Sequence, residues 1–183
     1  GIRHVLTSRR MMEKLDLTID AELVFLEDIA ARVTLCDKLA AAWMARCEPI
    51  RLLERRLGLD KIDPDDLMTI VFTSGSTGVP KGVMLTHVNI GSDVLAFAGA
   101  LRIDREDVLI GILPFFHAFG YTVTLWAPLM LEPAGIYHTN PLEPRPVGKL
   151  CKQHSGTILV ATPTFLRSYL RRIEPEELAT VSL

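Results

Sequence analysis

Cysteine is scarce in this chain and poorly placed for cross-linking: Cys36, Cys47 and Cys151 are the only three. An odd number at wide spacing offers neither a disulfide framework nor a zinc site, and points to a reducing, cytoplasmic compartment. No run of about 18 uncharged residues occurs, so no segment reads as a bilayer-spanning helix. Arg3, Arg9 and Arg10 flank only the short apolar run Val5-Leu6, too little for a signal peptide. Excess positive charge is missing too. The formal net charge is −2 and no basic stripe is interleaved with aromatics, which excludes a nucleic-acid surface as the natural reading. There are no internal repeats and no low-complexity tract. What the chain does have is apolar content, 49% of 183 residues, enough to bury a core in one α/β domain.

That apolar content is concentrated in runs that alternate between strand and helix character. Ile2 to Thr7 and Glu22 to Leu26 read as strands around a helix from Ser8 to Leu15, a βαβ unit with parallel pairing. Thr34 to Leu57 reads as a helix capped by Thr34, divided at Pro49 and ended by Gly58. Leu35, Leu39, Ala42, Trp43, Ile50, Leu53 and Leu57 recur at helical spacing, opposite Lys38, Arg46, Arg51, Arg55 and Arg56. Such a helix packs on the domain or, in the sharper reading, makes peripheral contact with anionic lipid through residues 35–57. Thr86 caps a helix running to Leu101, with Val88, Val94, Leu95, Ala98 and Leu101 inward. Strands are expected at Asp107–Leu113, Gly135–His138 and Thr157–Val160. Helices are expected at Tyr121–Leu131, Val147–His154 and from Thr162, as N-cap with Pro163 at N1, to Arg172. The fold class this predicts is α/β, a mostly parallel sheet with helices on both faces.

The most informative stretch is Leu67 to Gly82. Leu67 to Phe72 reads as a buried strand, and Val83 to Leu85 as a return strand. Between them, Thr73-Ser-Gly-Ser-Thr-Gly-Val-Pro-Lys81 cannot be regular structure. A flexible, donor-rich loop at the carboxyl end of a strand is where open α/β sheets bind ligands. Glycines expose backbone N–H groups that bind anions as a nest. Thr73, Ser74, Ser76 and Thr77 add hydroxyls, and Lys81 adds a compact positive charge for phosphate oxygens. Walker A is excluded because Gly82, not Ser or Thr, follows Lys81, and no G-x-G-x-x-G occurs. Downstream, Phe115-Phe-His-Ala-Phe119 crowds aromatics around His117, a pattern shared by apolar pockets and by structural histidines.

Thr73-Ser-Gly-Ser-Thr-Gly-Val-Pro-Lys-Gly82 resembles the ATP-phosphate loop of the adenylate-forming superfamily: acyl-CoA synthetases, peptide-synthetase adenylation domains and luciferases. Leu113-Pro-Phe-Phe-His-Ala-Phe-Gly120 resembles that superfamily's second recurring motif, which borders the acyl pocket. The resemblance implies an ATP cradle of Thr73, Ser74, Gly75, Ser76, Thr77, Gly78 and Lys81. It implies Mg²⁺ approached by Thr77, and a substrate pocket of Phe115, Phe116, His117 and Gly120, with no catalytic residue assigned. Leu23-Val-Phe-Leu-Glu-Asp-Ile29, Thr34-x-x-Asp37-Lys38 and Ala161-Thr-Pro-Thr-Phe-Leu166 look nearest to one branch, the acyl-acyl-carrier-protein synthetase part of bacterial 2-acylglycerophosphoethanolamine acyltransferases. That branch implies fatty-acid activation, transfer to acyl carrier protein and lysophospholipid reacylation at the inner membrane. A long-chain acyl-CoA ligase and a catalytically silent acyl or carrier-protein binding module are the alternatives. The superfamily's later metal glutamate, ribose-binding aspartate and C-terminal lysine have no match, so residues 1–183 are expected to be one α/β subdomain of a longer AMP-binding domain, without its C-terminal lid.

Overall fold

The structure, a computed structural model, describes residues 2–15, 18–73 and 78–182. The chain divides into two compact units, one through Ile62 and one from Asp63.

In the first unit β1 (His4–Thr7) and β2 (Glu22–Phe25) pair in parallel, His4 opposite Glu22 and Thr7 opposite Phe25. The helix between them, α1 (Arg9–Leu15), makes this the expected βαβ unit. Arg9 ties α1 to α2 (Leu26–Arg32): its guanidinium lies 4.4 Å above the Phe25 ring and 2.5 Å from Asp28. Thr34 and Asp37 form a reciprocal cap on α3 (Leu35–Cys47). The Asp37 N–H donates to Thr34 Oγ1 at 3.2 Å, and the Thr34 N–H donates to Asp37 Oδ2 at 2.8 Å. The Thr34 hydroxyl, followed by its N–H, holds the Asp37 carboxyl below its ordinary range. Pro49 divides the segment as expected, and α4 (Ile50–Leu57) ends on Gly58 at φ 71°. The two helices are clipped together by Arg56, which pairs with the buried Glu48 carboxylate at 3.0 Å and reaches Met44 Sδ. That pairing removes Arg56 from the free basic face read from the sequence.

In the second unit, β3 (Leu67–Thr73) and β4 (Lys81–Thr86) form an antiparallel pair with a bulge at Met68. The expectation of a buried strand fails here. Val71 is buried, but Leu67, Ile70 and Phe72 are exposed, because among the described residues β3 has β4 as its one sheet neighbour. Thr86 caps α5 (His87–Leu101), sharing a reciprocal cap with Asn89. Val94 faces inward as predicted, joined by Ile90, whereas Val88 and Leu95 are exposed.

The remaining strands form a parallel sheet in the order β6 (Ala134–Tyr137), β5 (Val108–Gly111), β7 (Ile158–Leu159). Alternation along β5 sends Ile110 to one face and Gly111 to the other. Ile110 packs with Val147 and Cys151 of α7 (Pro144–His154) and Tyr169 of α8 (Pro163–Arg172). Gly111 lies against Thr124. Helical layers therefore cover both faces of this sheet. The Thr157 hydroxyl locks β7 to β5: it accepts from the Val108 N–H at 3.0 Å and donates to Asp107 Oδ1 at 2.7 Å. The fold is α/β. In place of the single sheet expected, the described residues form three small ones, two parallel and one antiparallel. The helix expected at Tyr121–Leu131 is a π-helix over Gly120–Trp126 running into α6 (Ala127–Leu131).

Candidate functional site

The β3–β4 ladder closes with Phe72 opposite Gly82 and Thr73 opposite Lys81. The donor-rich loop therefore joins two antiparallel strands, rather than following a strand of a parallel sheet. Ser74, Gly75, Ser76 and Thr77 lie outside the described residues. At its far side Gly78 has φ 78° with open space around its α-carbon, so conformation, not crowding, calls for glycine there. Opposed residues of an antiparallel pair share a face. Thr73 and Lys81 thus lie on one face with Val71 and Val83, and Lys81 is exposed with no carboxylate partner among the described residues.

Two cavities flank the hairpin. One, about 640 Å³, brings Thr73 and Val83 together with Asn89, Ser92 and Asp93 of α5 and Thr122 of the π-helix. The sequence reading missed these four polar side chains. Their signal was present: Asn89, Ser92, Asp93 and Ala96 recur at helical spacing from the Thr86 cap. The other cavity, about 460 Å³, is bounded by Ile70 and Phe72 together with Phe115, Phe116 and Tyr121.

The segment that carries Phe115, Phe116 and His117 leaves the carboxyl end of β5, the central strand. It is closed tightly. The His117 N–H donates to the Pro114 carbonyl at 3.1 Å, and the Tyr121 N–H to the His117 carbonyl at 2.8 Å. Gly120 lies so near Pro114 that a Cβ would stand 2.2 Å from the Pro114 carbonyl oxygen. Phe115 meets Tyr137 edge-to-face at 5.6 Å. His117 is exposed, and its Nδ1 accepts from the Phe119 N–H at 3.4 Å. Phe115, Phe116 and His117 thus share one turn with Gly120 as its seal.

Taken together, these elements make a fold of the kind found in adenylate-forming enzymes. ATP-bound MatB from Rhodopseudomonas palustris superposes with a TM-score of 0.69 over 99% of this chain and 34% of its own, at 24% identity. A fatty acyl-adenylate ligase from L. pneumophila, solved with acyl adenylate and pyrophosphate, gives 0.68 over 96% of this chain and 28% of its own, at 20% identity. The chain belongs to the AMP-binding enzyme family, whose model matches residues 4–182. Among curated proteins it is 34% identical over 127 residues to a long-chain-fatty-acid–CoA ligase of Bacillus subtilis, covering 64% of this chain and 21% of that enzyme. It is 48% identical over 61 residues to long-chain-fatty-acid–CoA ligase 1 of Cavia porcellus, covering 31% of this chain and 9% of that enzyme. The chain thus spans about a fifth, or less, of the length of these relatives.

Proposed function

We propose that the protein to which this chain belongs activates a fatty acid with ATP, releasing pyrophosphate, and passes the acyl group from its adenylate to a thiol. The observation that carries this reading is the hairpin mouth. Thr73 faces Lys81, which has no carboxylate partner among the described residues, across the ladder, beside a left-handed glycine, in a chain of the AMP-binding family. The electrostatic difficulty of the first step is that a carboxylate must approach a phosphate while pyrophosphate departs. A lysine fixed on a strand, with the hydroxyl-bearing Thr73 paired opposite it, sets positive charge where that negative charge develops. Ser74, Gly75, Ser76, Thr77 and Gly78 complete this cradle. Among the described residues no three His, Cys, Asp or Glu side chains gather to hold a metal. Mg²⁺ keeps several waters and binds through substrate phosphates with few protein ligands, and Thr77, with Ser76 as the alternative, is the hydroxyl that the family resemblance would bring to it. Phe115, Phe116 and His117 border the acyl side, where the cavity at Ile70 and Phe72 is apolar.

The acceptor in this reading is acyl carrier protein, serving lysophospholipid reacylation; coenzyme A is the second reading, favoured by the CoA ligases among the relatives. Residues 35–57 supply contact with anionic lipid. Leu35, Leu39 and Trp43, four residues apart, are all exposed, and Arg51 and Arg55 have no carboxylate partner among the described residues. The experiment is fatty-acid-dependent ATP–pyrophosphate exchange by the whole protein, with Lys81→Ala expected to lower the rate at least tenfold. Exchange unchanged in that variant removes Lys81 from the cradle. Thioester formation with holo-carrier protein but not coenzyme A supports the first acceptor; the reverse outcome assigns coenzyme A.

A further inference from the structure

A third cavity, about 710 Å³, opens between the first turn of α7 and the last turn of α8, and shares no residue with the two cavities at the hairpin. Its size falls within the range of small-molecule sites. Arg145, Arg171 and Arg172 line it, and none of the three pairs with a carboxylate among the described residues. Three guanidiniums repel one another unless an anion sits among them, and the planar fork of arginine matches phosphate oxygens two at a time.

Two carboxylates share the rim, and they are not equivalent. Glu143 is already occupied: its Oε1 accepts from Asn140 Nδ2 at 2.9 Å and its Oε2 lies 2.9 Å from His138 Nε2. Glu174 has no side-chain partner among the described residues, and three guanidiniums against these two carboxylates leave the cleft with a positive excess. Pro144, Pro146 and Ile173 give it an apolar wall. The frame beneath is rigid. Val147, Cys151 and Tyr169 are fully buried between the two helices, and a Cβ on Gly148 would stand 2.5 Å from Ile173 Cγ2. The Tyr169 hydroxyl donates to the Pro141 carbonyl at 2.6 Å, fixing the loop that enters α7. The arginines therefore project from backbone that is already ordered, which lowers the entropic cost of gathering them on a ligand.

We propose that this cleft binds a phosphate ester, with the phosphate held by Arg145, Arg171 and Arg172 and the organic part against Ile173 and the prolines. The test is calorimetric titration of the whole protein with phenyl phosphate, inorganic phosphate and phenol. Phenyl phosphate should bind best, inorganic phosphate more weakly and phenol not at all. The Arg171→Gln/Arg172→Gln variant should bind phenyl phosphate at least tenfold more weakly, with unchanged circular dichroism, since both side chains are exposed. Glu174→Gln should tighten binding severalfold, and Lys152→Gln, an exposed charge at the far end of α7 that lines none of the three cavities, should leave it as it was. Equal affinity in the double arginine variant, or no binding by the parent chain, overturns the proposal. Inorganic phosphate binding as tightly as the ester overturns the ester assignment, and loss of binding in Lys81→Ala relocates the ligand to the hairpin.

Discussion

A single methyl group at position 120 tests whether the turn carrying Phe115, Phe116 and His117 is as closely shut as the structure has it. A Cβ on Gly120 would stand 2.2 Å from the Pro114 carbonyl oxygen, 2.8 Å from the Pro114 carbonyl carbon and 3.0 Å from that of Leu113. All three contacts are backbone, so no side chain can swing away. Relief requires a main-chain shift of roughly 1 Å, and overpacking of this kind costs about 1–3 kcal/mol. Gly120 has no left-handed φ, so the clash alone sets the cost. In a protein of this size 1 kcal/mol moves Tm by about 2–4 °C, so Gly120→Ala should melt about 2–12 °C below the parent. Gly99→Ala is the control. It lies in α5 with nothing within 4 Å of its would-be Cβ, and alanine there should gain about 0.5–1 kcal/mol of helix stability. Thermal melts followed by circular dichroism decide the matter. If Gly120→Ala melts with or above the parent while Gly99→Ala rises, the closed turn is wrong.

Thr157→Val leaves the Val108 N–H and the Asp107 carboxylate without their hydroxyl partner, and should cost about 1–3 kcal/mol, read as a lower urea midpoint. Cys36 and Cys47 are exposed and Cys151 is fully buried, so a thiol reagent should titrate two cysteines at once and the third only on unfolding. Burial pushes the Cys151 thiol up to about 11 from 9.0 and the Tyr169 hydroxyl up to about 12 from 10.0. Folding favours the protonated form of both. Their contribution is thus complete below about pH 9 and is lost as pH rises towards 12, so Tm should fall across that window. Tyr169→Phe should flatten the upper part of the fall. Binding to anionic vesicles should drop in Arg51→Gln/Arg55→Gln. Arg56→Gln should leave it nearly unchanged, since that side chain is committed to Glu48; an equal loss in both variants refutes the assignment of the free charges.

Features set by neighbours in sequence were legible in it. The Thr34 and Thr86 caps, the break at Pro49, the stop at Gly58 and the Thr162-Pro163 helix start each depend on residues within a turn of one another. What the sequence concealed depends on distant partners. Leu67 to Phe72 is as apolar as a central strand, but apolar content does not say how many strands flank it, and with β4 alone beside it among the described residues half its side chains stay exposed. The Gly120–Trp126 π-helix is invisible to a 3.6-residue period, and its first residue is fixed by the Pro114 carbonyl across a turn. At the site, the glycines and hydroxyls announced the loop; Asn89, Ser92 and Asp93 already shared one face of the expected helix, but packing alone brought them, with Thr122, to Thr73.

The position of Lys81 is a matter of register more than of loop conformation. It is the first residue of β4, paired with the last residue of β3, so the ladder that orders Val71 against Val83 also orders the cation against Thr73. A slip of one residue would carry Lys81 to the opposite face, away from Asn89, Asp93 and Thr122 and towards Phe115 and Phe116. Gly82 helps to prevent that slip. Phe72 lies across it and a Cβ there would stand 3.0 Å from Ile70 Cγ2 and 3.4 Å from the Phe72 ring, so the aromatic packs on bare backbone in the present pairing and would lose that contact in a slipped one. Glycine at 82 therefore serves the site by packing, and glycine at 78 by its left-handed φ. The two residues look alike in the motif and answer to different physical demands.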